Sequence, residues 1–124
     1  MKECRVKPTN GKLGVMCVGL GAVTTTTITG VLMSRKGLSK PIGSFACDGI
    51  MRLGKGEEKI YKEVKHILPI AKLDSIVFGA WDIYEDNAYE AAIKANVLKQ
   101  SDIDPVKEEL QAIRPYKALF DKSY

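Results

Sequence analysis

A glycine turn followed by threonines is the part of the sequence best suited to hold a ligand. Gly19 and Gly21 are separated by one residue, and a run of four threonines, Thr24–Thr27, follows them. Glycines at this spacing permit a sharp turn and let the backbone approach a phosphate closely. A helix starting there presents free N–H groups and a partial positive charge to an anion. The pattern therefore predicts a site for the diphosphate of a dinucleotide, with the hydroxyls of Thr24 and Thr25 within reach.

The match to the dinucleotide pattern is incomplete, because Thr24 stands where G-x-G-x-x-G has its third glycine. A plain glycine turn between two packed elements is the alternative interpretation. Four consecutive threonines oppose a helix by about 2 kcal/mol relative to alanine. Either packing overrides this cost, or the hydroxyls serve a polar ligand. The later threonines are expected to pack or to bond back to helix carbonyls: Thr26, Thr27 and Thr29.

A strand and a helix are expected to hold this turn in place. The apolar run Leu13–Val18 predicts a strand over about residues 12–19, of the kind that is buried on both faces. An uncharged segment then leads to Arg35-Lys36-Gly37, which predicts the end of a helix over about residues 22–36. The 21 uncharged residues from 13 to 33 match the length of a membrane span. Their threonines and glycines dilute the hydrophobicity, so we expect no membrane segment.

Further strands and helices are predicted along the rest of the chain. The expected elements are an extended segment over residues 42–47, a helix over Glu57–Leu68, a strand over Ser75–Trp81, a helix from Ala88 to about Lys99 and a last helix from Pro105 to about Ile113. Asn87 suits the N-cap of the helix from Ala88, with Glu90 at the capping-box position. Asp102 or Asp104 is expected to cap the last helix. His66, the only histidine, is expected at the surface.

This order of elements predicts an α/β fold, a partial Rossmann-like βαβ domain with a mostly parallel sheet. The domain is expected to cover residues 12–124, after a polar, flexible arm over residues 1–11. A sheet of two or three parallel strands leaves an edge unpaired, and parallel sheets rarely occur without cover on both faces. The chain is therefore expected to be part of something larger.

Charge and cysteine content restrict the classes of partner and compartment. Residues 1–65 carry 12 Lys/Arg against 5 Asp/Glu, whereas residues 66–124 carry 7 against 10. The basic half contains the glycine turn, which suits a phosphorylated ligand. The sequence has no basic cluster with interleaved aromatic residues, so nucleic-acid binding is not predicted. Three scattered cysteines without metal-ligand spacing predict reduced thiols in a cytoplasmic protein and no metal site. Cys17, inside the first strand, is expected to be a core residue.

A dinucleotide site also needs a carboxylate at the end of a strand, where it bonds the ribose hydroxyls. Asp48 follows the weak segment 42–47 and lies 29 residues after Gly19. Asp82 follows the stronger strand but lies 63 residues after Gly19. Spacing favours Asp48 and strand quality favours Asp82, so reasoning from the residues leaves both open.

Three stretches together resemble the inositol-phosphate synthase (myo-inositol-1-phosphate synthase) family. They are GVMCVGLGAVTTTT over residues 14–27, RKGLSKPIGS over 35–44 and IVFGAWDIYEDNAYEAAIKANVL over 76–98. The last stretch is the most specific, since W-D-I followed by an N-x-x-E-A helix start is not a generic pattern. The resemblance runs over nearly the whole chain and indicates the family's N-terminal NAD-binding region.

The resemblance implies that NAD is the cofactor. It assigns its diphosphate to six residues: Gly19, Gly21, Ala22, Val23, Thr24 and Thr25. It assigns the cofactor's ribose to Asp82, together with Ile83, and so favours Asp82 over Asp48. Ala46-Cys47 stand where relatives usually carry a Thr-Gln pair, so a polar contact of the family is expected to be missing.

The resemblance also implies a reaction and an assembly. The family converts glucose 6-phosphate to inositol phosphate as a tetramer, with bound NAD oxidising the sugar and later returning the hydride. Its catalytic lysines are expected beyond residue 124, so no residue of this chain is predicted to be catalytic. The isolated chain is expected to bind NAD weakly and not to turn over substrate. The alternative function is a non-enzymatic α/β interaction module, a degenerate fragment kept for assembly.

Overall fold

The structure, a computed structural model, describes residues 11–119, so nearly all of the arm predicted over residues 1–11 lies outside the described residues. Its strands are β1 (Leu13–Val18), β2 (Ile50–Arg52), β3 (Tyr61–Glu63), β4 (Ile76–Asp82) and β5 (Tyr116–Lys117). Its α-helices are α1 (Ala22–Arg35), α2 (Phe45–Asp48), α3 (Ala88–Ala95), α4 (Gln100–Ile103) and α5 (Lys107–Ala112). Single turns of 3₁₀ helix cover Val64–His66, Leu73–Ser75 and Asp104–Val106.

The main sheet is parallel and has the strand order β1-β4-β5. Leu13 pairs with Ile76 and Val18 with Trp81, so β1 and β4 run side by side over their whole length. The prediction of an α/β fold with a mostly parallel sheet is confirmed. Because parallel neighbours end at the same edge, the residues that follow β1 and β4 meet there. Gly19 and Asp82 are therefore brought together by the sheet.

The core lies on one face of this sheet, beneath α1, α3 and α5. Ala80 of β4 is fully buried there, and Cys17 of β1 packs against the same cluster, as predicted. Helix α1 contributes Ile28 and Leu32, which are 0% and 5% exposed. Burial of these side chains holds α1, and with it the glycine turn, against the carboxyl end of β1.

The opposite face of the sheet is open, so the prediction that β1 is buried on both faces is wrong. Met16 and Val18 point to this face from β1, and their register partners on β4 are Gly79 and Trp81. Val18 is 90% exposed, and Met16 and Trp81 are also partly exposed. The exposure shows that none of the elements between residues 11 and 119 covers this face.

The predicted helix over Glu57–Leu68 is wrong. The segment instead forms β3, which pairs antiparallel with β2, and then one 3₁₀ turn. Within this 3₁₀ turn only Val64 is buried, and its N–H donates to the carbonyl of Gly49 over 2.9 Å. The apolar residues at helical spacing do not form a buried helix face. The backbone N–H and C=O groups of the segment form hydrogen bonds with β2 instead. The imidazole of His66 is exposed, as predicted.

The predicted extended segment 42–47 is also wrong. The carbonyl of Ser44 accepts the N–H groups of Cys47 and Asp48 over 3.0 and 2.9 Å, which closes the single turn of α2. Ser44 is the N-cap of this turn through its backbone carbonyl, and its side chain makes no cap hydrogen bond. The strand of this region is β2, immediately after Gly49.

The C-terminal helices are partly as predicted. The Asn87 side chain accepts from the N–H of Glu90 while the Glu90 carboxylate accepts from the N–H of Asn87, which confirms the capping box of α3. Helix α3 ends at Ala95, earlier than predicted, because Asn96 adopts a left-handed conformation with φ 50°.

The helix predicted from Pro105 to about Ile113 forms as a 3₁₀ turn followed by α5, whereas α4 before it and β5 after it were not predicted. Neither Asp102 nor Asp104 caps it with a side chain, so that prediction is wrong. Asp104 instead accepts a hydrogen bond of 3.1 Å from the Tyr89 hydroxyl and a second from Gln100. Residues 13–33 form a strand, a turn and a helix, and no helix between residues 11 and 119 is long and apolar enough to cross a membrane.

Candidate functional site

Two hydrogen bonds join the glycine turn to the end of β4. The N–H of Gly19 donates to the carbonyl of Trp81 over 2.7 Å and extends the ladder between β1 and β4 by one residue. The next N–H, that of Leu20, donates to Oδ2 of Asp82 over 2.5 Å. The carboxylate of Asp82 therefore lies directly against the glycine turn, at the carboxyl edge of the sheet.

The two glycines have different roles in this turn. Gly19 has φ +92°, a left-handed conformation that only glycine adopts without strain. Gly21 has φ −87° and extended backbone, so its conformation does not require glycine. A Cβ built on Gly21 meets no atom within 4 Å. Its missing side chain leaves open space at the start of α1, where a ligand can approach the backbone.

The start of α1 has the properties of an anion site. Gly21 is its N-cap, no side chain caps it and its first turn contains no acidic residue. Helix geometry gives the N–H groups of Ala22, Val23 and Thr24 no acceptor inside α1. These groups and the helix dipole present a partial positive charge to the crevice.

The hydroxyls of Thr24, Thr25 and Thr27 donate hydrogen bonds to backbone carbonyls of the same segment. The hydroxyl of Thr24 donates to the carbonyl of Gly19 over 2.9 Å and ties the first turn of α1 to the glycine turn. Thr25 is 1% exposed and donates to the carbonyl of Gly21 over 3.0 Å, so its side chain faces the core. Thr27 bonds back to the carbonyl of Val23 over 2.8 Å, and Thr29 is buried. Packing and back-bonding thus offset the low helix propensity of this run.

The carboxylate of Asp82 is held ionised by backbone donors. Its Oδ1 accepts the N–H of Tyr84 over 3.0 Å, in addition to the bond from Leu20 to Oδ2. The Leu20 N–H, then the Tyr84 N–H, lower the pKa of Asp82 below its ordinary value, against the opposing effect of burial. Asp82 is therefore an anion at neutral pH, and its oxygens are hydrogen-bond acceptors.

An open cavity of about 480 Å³ adjoins these groups. Gly19, Gly21, Ala22, Asp82 and Ile83 are among the residues that line it. Packed side chains do not fill the crevice, and Ile83 is 61% exposed beside it. The space is within the range of small-molecule and cofactor pockets.

Asp48, the other candidate for the ribose, lies elsewhere. It is in α2, which packs on the 3₁₀ turn Val64–His66, and its charge acts on Lys65. It does not line the cavity at the glycine turn. The structure therefore brings Asp82, and not Asp48, to the glycines.

Sequence reasoning missed several groups around this cavity. The N–H groups of Leu20 and Tyr84 were missed because a backbone donor carries no sequence signal. Asp86 and Lys94 line the cavity as well, and they form an ion pair across eight positions of sequence. A second cavity of about 360 Å³ also has Asp82 in its lining, together with Arg114.

A parallel strand, a glycine turn, an uncapped helix start and a carboxylate on the neighbouring strand define a nucleotide-binding unit of the Rossmann type. The family model described as myo-inositol-1-phosphate synthase, which is a model of an NAD-binding domain, matches residues 13–124. The chain belongs to the myo-inositol-1-phosphate synthase family and corresponds to its NAD-binding part.

Individual relatives agree with this membership. Inositol-3-phosphate synthase 1 of Bacteroides thetaiotaomicron is 53% identical over 125 residues, which cover 100% of this chain and 28% of that protein. Inositol-3-phosphate synthase isozyme 1 of Arabidopsis thaliana is 35% identical over 128 residues, or 91% of this chain and 24% of that protein. The chain thus spans about a quarter of the length of the curated relatives it matches.

A solved structure supports the fold. The crystal structure of inositol-3-phosphate synthase from Caenorhabditis elegans superposes with a TM-score of 0.78 at 21% identity. The match covers 94% of this chain and 26% of that chain. At this identity the likeness shows the Rossmann-like fold.

Proposed function

We propose that this chain is the N-terminal cofactor-binding portion of an inositol-3-phosphate synthase, a domain over residues 12–124, and that NAD binds in the crevice between β1 and β4. The diphosphate lies at the start of α1, against the backbone of Gly19 to Thr24. The hydroxyl of Thr25 supports the turn from the core side, through its hydrogen bond to the carbonyl of Gly21. The carboxylate of Asp82, with Ile83 beside it, accepts a hydroxyl of the ribose.

The bond from the Leu20 N–H to Asp82 Oδ2 is the observation that carries this proposal. It fixes the acid beside an uncapped helix start, so a ligand on one group is within reach of the other. The open space beside Gly21 supports the same placement, because a diphosphate can approach the backbone there without displacing a protein atom.

The charge of Asp82 favours NAD over a cofactor with a phosphate on the same ribose. The lowered pKa keeps the carboxylate ionised. An anion accepts hydrogen bonds from ribose hydroxyls, whereas it repels a 2′-phosphate in a crevice partly shielded from water. We therefore expect a preference for NAD over NADP.

The activity belongs to the whole protein of which this chain is about a quarter. We propose that this protein makes inositol phosphate, which is the product that the relatives' names print. Glucose 6-phosphate as the substrate, the cytoplasmic location and the homotetramer are proposed from the family resemblance alone. Bound NAD supplies a hydride acceptor and donor for that reaction. The residues of this chain hold and orient the cofactor, and the groups that act on the sugar lie in the rest of the protein.

Two measurements test the proposal. In the first, NAD is titrated into the 124-residue chain by NMR, with weak binding expected to shift the amides of residues 19–24 and 82–84. Shifts confined to other residues, or none, contradict the proposed site. Tight binding by isothermal titration contradicts the expectation that the rest of the protein completes the pocket.

The second measurement uses a chimera in which this chain replaces the matched quarter of the Bacteroides relative. NAD-dependent formation of inositol phosphate from glucose 6-phosphate is expected. An Asp82→Asn chimera is expected to need about tenfold more NAD, the loss of one charge-assisted hydrogen bond. A folded chimera without activity contradicts the proposed function of the whole protein and leaves the NAD titration to judge the cofactor site.

A further inference from the structure

We propose that Lys94 is a further cofactor-binding residue, whose ammonium leaves Asp86 and pairs with the diphosphate of the bound dinucleotide. This inference rests on the proposed function, since it names an additional group at the same site. Asp86 then acts as the resting partner of Lys94 when no ligand is bound.

The position of Lys94 on α3 places it at the site. Lys94, Ala91 and Ala95 line the cavity that the glycine turn and Asp82 also line. Residues three and four apart share one face of a helix, so these three belong to the face of α3 turned to the crevice. The two alanines leave space on that face, and the capping box at Asn87 fixes the start of the helix that carries it.

The side chains around the cavity carry more negative than positive charge, so a bound diphosphate favours the ammonium of Lys94 as a counter-charge. Its side chains include two carboxylates, those of Asp82 and Asp86, and among the described residues that line it Lys94 is the one lysine or arginine. A diphosphate brings two more negative charges, and the helix start of α1 supplies only about half a positive charge. A mobile cation beside the turn balances the anion, and lysine is a common phosphate ligand.

The present partner of Lys94 can be exchanged at low cost. Nζ of Lys94 lies 2.7 Å from Oδ1 and 2.6 Å from Oδ2 of Asp86. The Lys94 side chain is nevertheless 68% exposed, and exposed ion pairs contribute little to stability. A flexible four-carbon chain lets the ammonium turn from the carboxylate to a phosphate without movement of α3.

The test compares the wild-type 124-residue chain with five single variants by NMR titration at low and moderate salt. Lys94→Met is expected to weaken binding of ADP-ribose about tenfold and to reduce its salt dependence, while binding of adenosine stays unchanged. Asp86→Asn, which releases the ammonium, is expected to tighten ADP-ribose binding severalfold. Lys99→Met is the matched control, because Lys99 is an exposed lysine outside the cavity. The Lys99→Met variant is expected to bind ADP-ribose as the wild type does.

The outcomes separate this inference from the proposed function. If Lys94→Met binds ADP-ribose as the wild type does while Asp82→Asn binds it more weakly, the inference is wrong and the site stands. If Asp86→Asn weakens binding as much as Lys94→Met does, the ion pair only supports the fold and the inference is also wrong. Absence of wild-type binding contradicts both. Lys94→Arg keeps the charge and is expected to bind like the wild type, which separates a lost cation from a misfolded variant.

Discussion

The N–H of Leu20 donates to Oδ2 of Asp82 over 2.5 Å, a bond between residues 62 positions apart in the sequence. Leu20 is 3% exposed, so its N–H lies where water is not a ready alternative acceptor. The bond links the backbone that shapes the glycine turn to the carboxylate that we propose as the ribose ligand. This contact ties the carboxylate to the glycine turn and is the largest cause of the lowered pKa of Asp82.

The first prediction concerns the structural part of this link. Asp82→Ala removes the acceptor of the part-buried Leu20 N–H and of the exposed Tyr84 N–H. Leaving the Leu20 donor unpaired is expected to lower the free energy of unfolding by about 1–3 kcal/mol. Urea unfolding measures the change. Asp74→Ala is the control, because Asp74 is exposed in the 3₁₀ turn before β4, and a change below about 0.5 kcal/mol is expected for it. Equal effects of both substitutions contradict the role assigned to the bond.

The second prediction concerns acid stability. Because the folded pKa of Asp82 lies below its unfolded value, its carboxylate stabilises the fold above the unfolded pKa of about 3.9. This contribution is lost as the pH falls through the lower, folded pKa. Asp82→Asn has no such titration, so its free energy of unfolding is expected to fall less steeply below about pH 4 than that of the wild type. Parallel pH profiles of the two proteins argue against an ionised carboxylate held by backbone donors.

The third prediction separates the two glycines. Gly19→Ala forces alanine into a left-handed conformation and is expected to cost about 1–2 kcal/mol of stability. Gly21→Ala meets no protein atom and has an ordinary φ, so its stability is expected to stay within about 0.5 kcal/mol of the wild type. Its methyl group nevertheless occupies the space next to the helix start, and NAD affinity is expected to fall about tenfold or more. A Gly21→Ala variant that binds NAD normally places the diphosphate elsewhere.

Local sequence patterns predicted the elements that build the site. The run Leu13–Val18, the helix from Ala22 and the strand ending at Asp82 were each predicted within one or two residues, because apolar periodicity and glycine punctuation are strong there. The choice between Asp48 and Asp82 needed either the family resemblance or the strand order. In the structure, the parallel pairing of β1 with β4 shows that the acid far along the chain is the one beside Gly19.

The failures have a common physical cause. In the hairpin of β2 and β3, apolar residues such as Ile60 and Tyr61 have helical spacing but are exposed, so the pattern did not report burial. The pair of Asp86 and Lys94 joins the loop before α3 to the last turn of that helix. The path of the helix, and not either residue type, brings the two side chains together. Contacts and burial of this kind follow from the path of the folded chain, which a local pattern does not contain.

The last prediction concerns the open face of the sheet, where Val18 is 90% exposed beside Trp81, the only tryptophan of the chain. Val18→Lys is expected to reduce binding of a hydrophobic dye and to change the free energy of unfolding by less than about 0.5 kcal/mol, because it removes exposed apolar surface and opens no cavity. Ile42→Lys, at a side chain that is 87% exposed and off this sheet, is the control, with a smaller effect on dye binding expected. Acrylamide quenching of Trp81 is expected to show an indole accessible to solvent in the isolated chain. Strong destabilisation by Val18→Lys, or a tryptophan that acrylamide does not quench, means that this face is already covered in the isolated chain. In that case no further part of the protein is needed to bury it.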